Sequence, residues 1–354
     1  MSDSIYKITM SDSIYKITMS DNKYQKNILK TDNLKKKIIL IQIYTGFGNK
    51  VFDCIIGIYL KINFGYHICY VDTKGPHTKS TDYSIAEIFP KITDEFEIIN
   101  DDQGDYIKNI KNCVFFNKNI DSIKNLKKYF VEDMIRVQTT LLYKFVYEMF
   151  ESFDEQTRKI FIINEKLINN DIISYSNSNY ATIHIRYGDK LWLGLKKNND
   201  SSNKFMSFPM FTPEYYYEQI KILKKKNIPI VILTDSPKVI KHFLLEKYEI
   251  DNDPNIFLPD IPFLDSFYLM LKSNYNVLSH STFSYSAYIL GKYNYDNKKV
   301  RVYTFCTSDE FTTKYNPYDL FLSDDWIIYK DSKYILNFNQ KLIMEMNNFN
   351  RKNW

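Results

Sequence analysis

Between residues 180 and 330 the chain alternates short apolar runs with segments that carry an apolar stripe at helical spacing, and this alternation limits the possible folds most tightly. Ala181–His184, Pro229–Leu233, Asn255–Leu258, Asn276–Ser279 and Val300–Phe305 read as strands. Pro229 stands at a first strand position, where a missing donor is tolerated. Tyr215–Lys226, Lys238–Tyr248, Asp265–Lys272 and Tyr285–Leu290 read as helices, the first opened by Thr212-Pro213-Glu214 as N-cap, N1 proline and acidic first turn. Trp326–Tyr329 precedes a C-terminal helix. Strands that alternate with helices imply a parallel, doubly wound sheet.

A similar unit opens the first half. Ile38–Ile43 reads as a buried strand and Tyr44–Asn49 as a glycine turn; Val51, Phe52, Ile55, Ile56, Tyr59 and Leu60 then form a helical stripe. Strand, glycine turn and helix make the first unit of a Rossmann-like half, whose helix start offers N–H groups to an anion or sugar hydroxyl; the glycines as mere turn residues are the competing reading. Tyr66–Val71 reads as a second strand, and residues 122–151 as one long amphipathic helix. Asn169–Asn179, rich in Asn and Ser, reads as a domain boundary. The expected fold is α/β with two Rossmann-like domains and a cleft between them, a GT-B-like architecture. Residues 1–30 would be a disordered tail, 31–175 an N-terminal α/β domain and 176–354 a C-terminal α/β domain. Within that tail MSDSIYKIT occurs twice in tandem, too short a unit for a solenoid.

Composition removes several classes. With 44% hydrophobic and 25% charged residues, the 354-residue chain is globular. A net charge of +5, with lysines scattered among Asn, Ile and Tyr, argues against a nucleic-acid surface. Cys54, Cys69, Cys113 and Cys306 lack the short repeated spacings of a disulfide framework or zinc site, so buried thiols in a reducing compartment are expected, with no metal. No membrane-length apolar run and no signal-peptide h-region is visible, so a cytoplasmic protein is expected.

The chemistry gathers at strand ends. Tyr180–Lys190 leaves its strand with His184, Arg186, Gly188 and Asp189; other ends carry Thr234, Asp235 and Ser236, then Asp265, then Ser281, Thr282 and Ser284. In an open α/β sheet, ligands bind beyond the C-terminal strand ends. A guanidinium fork, hydroxyls and the N–H groups of a helix start suit a nucleoside diphosphate. Asp265 could accept the paired N–H donors of guanine, or could be a helix N-cap; Ser281 and Ser284 could be simple caps; Arg186 and Asp189 could be an ion pair before a turn. Residues 194–209 read as a polar lid or substrate loop.

These blocks carry a family resemblance. Thr45-Gly-Phe-Gly-Asn-Lys-Val-Phe52, His184-Ile-Arg-Tyr-Gly-Asp189, Leu233-Thr-Asp-Ser236, Asp265-Ser-Phe-Tyr-Leu-Met270 and His280-Ser-Thr-Phe-Ser-Tyr285 follow the order and approximate spacing of the motifs of the α-1,2-fucosyltransferase family and its wider group of GDP-fucose-using enzymes. The resemblance covers roughly residues 38–330. It implies that Arg186 holds the donor β-phosphate, that His184 and Asp265 lie near guanine, and that Thr282, Phe283 and Ser284 form the phosphate and ribose loop. Tyr187 stands where the family has a second Arg; Lys50, His280, Tyr285 and Ser286 depart from Gln, Asn, Trp and Trp.

The expectation is then transfer of L-fucose from GDP-fucose to a glycan hydroxyl in α-1,2 linkage, inverting and metal-independent, with no cofactor beyond the donor. Arg186 and Asp189 are the catalytic candidates. His184, Arg186, Thr234, Asp235, Asp265, Ser281, Thr282, Phe283 and Ser284 are the donor-binding candidates, and Gly46, Gly48 and Asn49 form the N-terminal glycine turn. Asp53, His184 and Asp189 are the possible bases. The alternatives are a transferase using another nucleotide sugar and a catalytically idle sugar- or nucleotide-binding protein.

Overall fold

In both halves, near-continuous runs of Ile, Val and Leu form parallel strands covered by helices, as strands buried on two faces require. The computed structural model describes residues 37–43, 46–72, 83–100, 114–116, 120, 122–188, 191, 210–279, 281–295, 301–304, 326–328 and 341–352. The tandem repeat, residues 194–209, Asp189, Cys113, His280 and Cys306 lie outside the described residues.

The first half runs β1 (Ile38–Ile43), α1 (Phe47–Phe64), β2 (His67–Asp72), α2 (Ile85–Ile88), β3 (Glu97–Asn100), β4 (Val114–Phe116), β5 (Met134–Val137), α3 (Val146–Glu151) and α4 (Glu155–Arg158). Its five strands take the order β3-β2-β1-β5-β4, with every pairing parallel. α5 (Asn170–Ser176) leads into the second half. There follow β6 (Ala181–Ile185), α6 (Pro213–Lys224), β7 (Ile230–Thr234), α7 (Pro237–Ile240), β8 (Ile256–Phe257), α8 (Phe263–Lys272), β9 (Tyr275–Val277), α9 (Thr282–Asn294), β10 (Arg301–Thr304), β11 (Trp326–Ile328) and α10 (Lys341–Lys352). These six strands take the order β11-β10-β9-β6-β7-β8, again with parallel pairings throughout. The protein is α/β, two Rossmann-like halves in a GT-B-like arrangement.

Both sheets are doubly wound, so each has a point where the strand order reverses. In the first sheet the chain winds outward from β1 through β2 to β3, and places β5 and β4 on the other side of β1. In the second it winds from β6 to β8 one way and from β9 to β11 the other. Connections that diverge leave a crevice at the C-terminal ends of the strands flanking such a reversal. Here those ends are Gly46–Asn49 after β1, Arg186–Gly188 after β6, and Leu278, Ser279, Ser281 and Thr282 after β9.

One apolar core crosses both halves. Ile39 and Ile41 of β1, Phe52 and Ile55 of α1, Phe267 and Met270 of α8, Tyr285 and Ile289 of α9, and Val231 and Leu233 of β7 belong to it. α1 is therefore buried on almost every side, between its own sheet and α9. α8 and α9 cross closely at Gly291, where a Cβ would lie 2.6 Å from the Leu271 carbonyl oxygen. A second core covers the other face of the second sheet, with Ile183, Ile185, Ile230 and Ile232 against Tyr215, Tyr216 and Ile220 of α6 and Met346 of α10.

Residues 122–151 do not form one helix. A 3-10 segment (Ile123–Lys128), strand β5, a second 3-10 segment (Thr139–Phe145) and α3 replace it. Ile135 and Val137, alternating on one face, pair with β1 instead of continuing a helical stripe. The Asn- and Ser-rich stretch at 169–179 holds helix α5, opened by an Asn169 side chain that accepts from the Asp171 N–H. Trp326–Ile328 is a parallel sheet strand.

Candidate functional site

The two reversal points meet. Asn49, in the first turn of α1, accepts a 2.5 Å hydrogen bond from the Thr282 hydroxyl, in the first turn of α9. Gly48 makes this approach possible. A Cβ there would overlap the Phe283 nitrogen and Thr282 carbonyl carbon and lie 2.6 Å from Phe283 Cα, all of it backbone. Gly46 has open space around it. Beneath the contact, Phe47 meets Phe267 at 4.9 Å and Phe283 at 6.3 Å between ring centroids. Each such edge-on pair adds about 0.5–1.5 kcal/mol beyond its buried area.

The start of α9 is shaped by serines. Ser281 is its N-cap, accepting from the Phe283 N–H at 3.3 Å. Ser284 is buried and donates to the Ser279 and Ser281 carbonyl oxygens, each at 3.3 Å. Ser279 also reaches across to β6, where its hydroxyl lies 2.6 Å from His184 Nδ1. Ile183 and Ile185 turn toward α6, so pleating sends His184 to the opposite face, with its ring 5.5 Å from that of Phe283. The sequence reading placed Ser279 inside a strand and missed this partner.

Beyond His184 the chain turns around Asp235. One carboxylate oxygen of Asp235 accepts from the Tyr187 N–H at 3.1 Å and the Gly188 N–H at 3.0 Å, and the other pairs with Arg186 Nη1. A Cβ at Gly188 would overlap that carboxylate, so a side chain there would push Asp235 off the turn. The Arg186 side chain is 34% exposed, so its ion pair orients the guanidinium without sealing it away. Thr234 accepts from the Ser236 N–H at 3.1 Å and closes the same turn.

Two candidates stand differently from the reading that selected them. Asp265 is buried in the first turn of α8, and one carboxylate oxygen accepts from the Asn169 N–H at 3.1 Å; the N-cap of that helix is Pro262. Asp53 lies in α1 and is only 2% exposed. Burial pushes its carboxyl up to about 7, against hydrogen bonds from Thr139 and Tyr143 and the nearby Lys50 charge. Asp53 sits within the packing of the first half, and His184 is likewise buried.

Tyr187, at the position where the resembled motif has a second Arg, is fully buried and donates to the Phe211 carbonyl oxygen at 2.6 Å. Burial holds its hydroxyl well above the usual phenol range. The turn after β6 thus carries the partly exposed Arg186 and, next to it, a packed tyrosine.

No family model and no curated protein matches the chain in sequence. Among solved structures, the Bradyrhizobium fucosyltransferase NodZ is 16% identical, covering 72% of this chain and 92% of its own, with a TM-score of 0.43. A mutant of Arabidopsis thaliana FUT1 in complex with GDP is 11% identical, covering 79% of this chain and 73% of its own, with a TM-score of 0.44. Escherichia coli ADP-heptose LPS heptosyltransferase II is 11% identical, covering 90% and 99%, with a TM-score of 0.42. Among the described residues no helix is long and apolar enough to cross a membrane.

Proposed function

We propose that the chain is a glycosyltransferase that moves L-fucose from GDP-fucose to a hydroxyl of a glycan acceptor, with inversion at the anomeric carbon and in α-1,2 linkage. The observation that carries this reading is the meeting of the two strand-order reversals, held by Asn49 and Thr282, with the partly exposed Arg186 on the turn that follows β6. The blocks that resemble GDP-fucose-using enzymes are far apart in sequence, and the ones at Gly48, His184, Asp235 and Thr282 are those that stand at these strand ends.

In this reading GDP lies along the start of α9. Its β-phosphate takes hydrogen bonds from Arg186 and from N–H groups of the helix start, where the helix dipole favours an anion. The acceptor hydroxyl attacks the anomeric carbon from the face opposite GDP. Its oxygen forms the new bond, the bond to the β-phosphate oxygen breaks, and that bond's electron pair leaves with GDP. Donors aimed at this growing charge contribute several kcal/mol to catalysis in a dry site. The acceptor proton passes to a base, for which Asp53, His184 and Asp189 are the candidates. Asp235, whose charge would repel a diphosphate, acts as a positioning residue that fixes the Arg186–Gly188 turn. With that carboxylate already paired to Arg186, a metal-independent mechanism fits the groups at the strand ends.

A second reading follows from the fully buried Tyr187: with one guanidinium in place of two, the chain binds a nucleotide sugar without turning it over. Calorimetric titration with GDP, UDP and ADP, followed by GDP release from GDP-fucose across an acceptor array, separates the readings. Preference for GDP with turnover supports the fucosyltransferase. Tight GDP binding without turnover on any acceptor supports the second reading, and preference for UDP or ADP removes fucose as the donor sugar.

A further inference from the structure

The first sheet carries another group of reactive side chains, on the face turned away from α1. His67 and Cys69 stand two residues apart on β2 and so share a face. Cys69 packs with Leu40 in a small separate layer, whereas the intervening Ile68 belongs to the main core. Glu97, on edge strand β3, is the register partner of Cys69. Its Oε2 lies 3.2 Å from His67 Nε2 and 3.7 Å from Cys69 Sγ. The three possible ligand atoms lie within 4.8 Å of one another, the one such group of three among the described residues.

We propose that His67, Cys69 and Glu97 bind one divalent transition metal of the zinc class, with water completing the coordination, and that the ion clips β3 to β2. Zinc takes imidazole nitrogen, thiolate sulfur and carboxylate oxygen at about 2.0–2.3 Å, so donors at the corners of a tetrahedron stand roughly 3.3–3.6 Å apart. The two separations that involve Glu97, 3.2 and 3.7 Å, stand close to that range, and the three atoms, all within 4.8 Å of one another, need only small side-chain rotations to converge on an ion. A thiolate beside an imidazole selects zinc, cobalt or copper over magnesium and calcium, which demand oxygen. Without metal the same atoms form two hydrogen bonds, His67 Nε2 and Cys69 Sγ to the one Glu97 oxygen, and the ion would replace both.

Binding of the ion would take place on the thiolate and release the thiol proton. His67 and Glu97 side chains are 34% and 42% exposed, which leaves an approach for the ion. His67 opens β2, at the end of the strand opposite the C-terminal edge where the transferase site gathers. The ion therefore acts on the stability of an edge strand, and the proposal stands whether or not the transferase reading does.

The test uses the full, untagged chain, freed of metal with a chelator and titrated with Co²⁺, then Zn²⁺, while absorbance is recorded. The expected result is one equivalent of Co²⁺ bound, a thiolate-to-cobalt charge-transfer band, bleaching of that band by Zn²⁺, and a melting temperature raised by either ion. Cys69→Ser should abolish the band. His67→Ala and Glu97→Gln, which alter exposed side chains and leave the buried thiol in place, should each weaken binding at least about tenfold. Absence of stoichiometric uptake at micromolar metal overturns the proposal. So does uptake without a thiolate band, or affinity unchanged in Glu97→Gln.

Discussion

Thr282 donates to Asn49 over 2.5 Å, and the two residues stand 233 positions apart on helices that follow strands of different sheets. The bond marks where the C-terminal edge of one Rossmann-like half is held to the other. Its neighbour Gly48 sets how closely the halves approach, because its Cα faces the Thr282–Phe283 backbone with no space for a methyl group. Relief of that overlap would require the start of α9 to move, together with Phe283 and its contacts to Phe47, Phe267 and His184.

Gly48→Ala is accordingly expected to destabilise the protein by about 1–3 kcal/mol, the usual cost of overpacking. Gly46→Ala, two residues earlier in open space, should cost less than about 1 kcal/mol. Urea unfolding of both variants measures the difference. Equal midpoints would show that α9 shifts freely and that the contact does not fix the two halves.

Arg186 and Asp235 form a pair whose members should behave differently on removal. The guanidinium is a third exposed and a partly exposed ion pair is worth about 0–1 kcal/mol, so Arg186→Ala should leave the melting temperature nearly unchanged while abolishing turnover of GDP-fucose. Asp235→Ala leaves the Tyr187 and Gly188 N–H groups without their acceptor and should cost about 1–3 kcal/mol as well as activity. Thermal melts alongside GDP-release assays report both quantities. A stability loss in Arg186→Ala as large as in Asp235→Ala would make the arginine a structural residue.

Much of this was legible from residue order alone. The strands beginning near Ile38, His67, Ala181, Ile230, Ile256 and Tyr275 were visible because their apolar runs are short and bounded by Gly, Pro, Asn or Asp. The region 122–151 was misread because Ile123, Leu126, Leu142, Phe145, Val146 and Met149 are all core residues at near-helical spacing. The intervening Ile135 and Val137 obey the strand period only once β1 and β4 lie on either side of them. At the site, strand-end position was readable but pairing was not. Asp235 was readable as a strand-end residue, but not its bonds to the Arg186–Gly188 turn, which only tertiary structure brings together. Nor could spacing reveal His67, Cys69 and Glu97 as neighbours, since the register of β2 and β3 brings them together.

Tyr187 fixes how far the family pattern can be restored. Its ring is packed against Tyr216 and its hydroxyl serves the Phe211 carbonyl, so a guanidinium there would enter the core without a partner carboxylate. Tyr187→Phe should cost about 1–2 kcal/mol through the lost hydrogen bond. Tyr187→Arg should cost more than about 3 kcal/mol and bring no gain in turnover. Chemical denaturation and initial rates with GDP-fucose test the pair. A stable and faster Tyr187→Arg variant would mean that the position opens onto the donor.

Asp53 supplies a pH dependence whose sign follows from its burial. Its carboxyl rises from 3.8 to about 7 in the folded chain, desolvation outweighing Thr139, Tyr143 and Lys50. Below the unfolded value the group is protonated in both states and contributes no penalty. Between about 4 and 7 the unfolded chain loses the proton while the folded chain keeps it, so stability falls as pH rises, by roughly 1.4 kcal/mol per unit. Above 7 the loss is complete and on the order of 4 kcal/mol. Asp53→Asn preserves an acceptor for the Tyr143 hydroxyl, which lies 3.0 Å from Asp53 Oδ1, and removes the titration. The difference in unfolding free energy between variant and wild type should therefore be small near pH 4 and grow in the variant's favour toward pH 8. A difference that stays flat across this range would place the Asp53 pKa at its ordinary value and put water, or a tighter pairing with Lys50, beside the carboxylate.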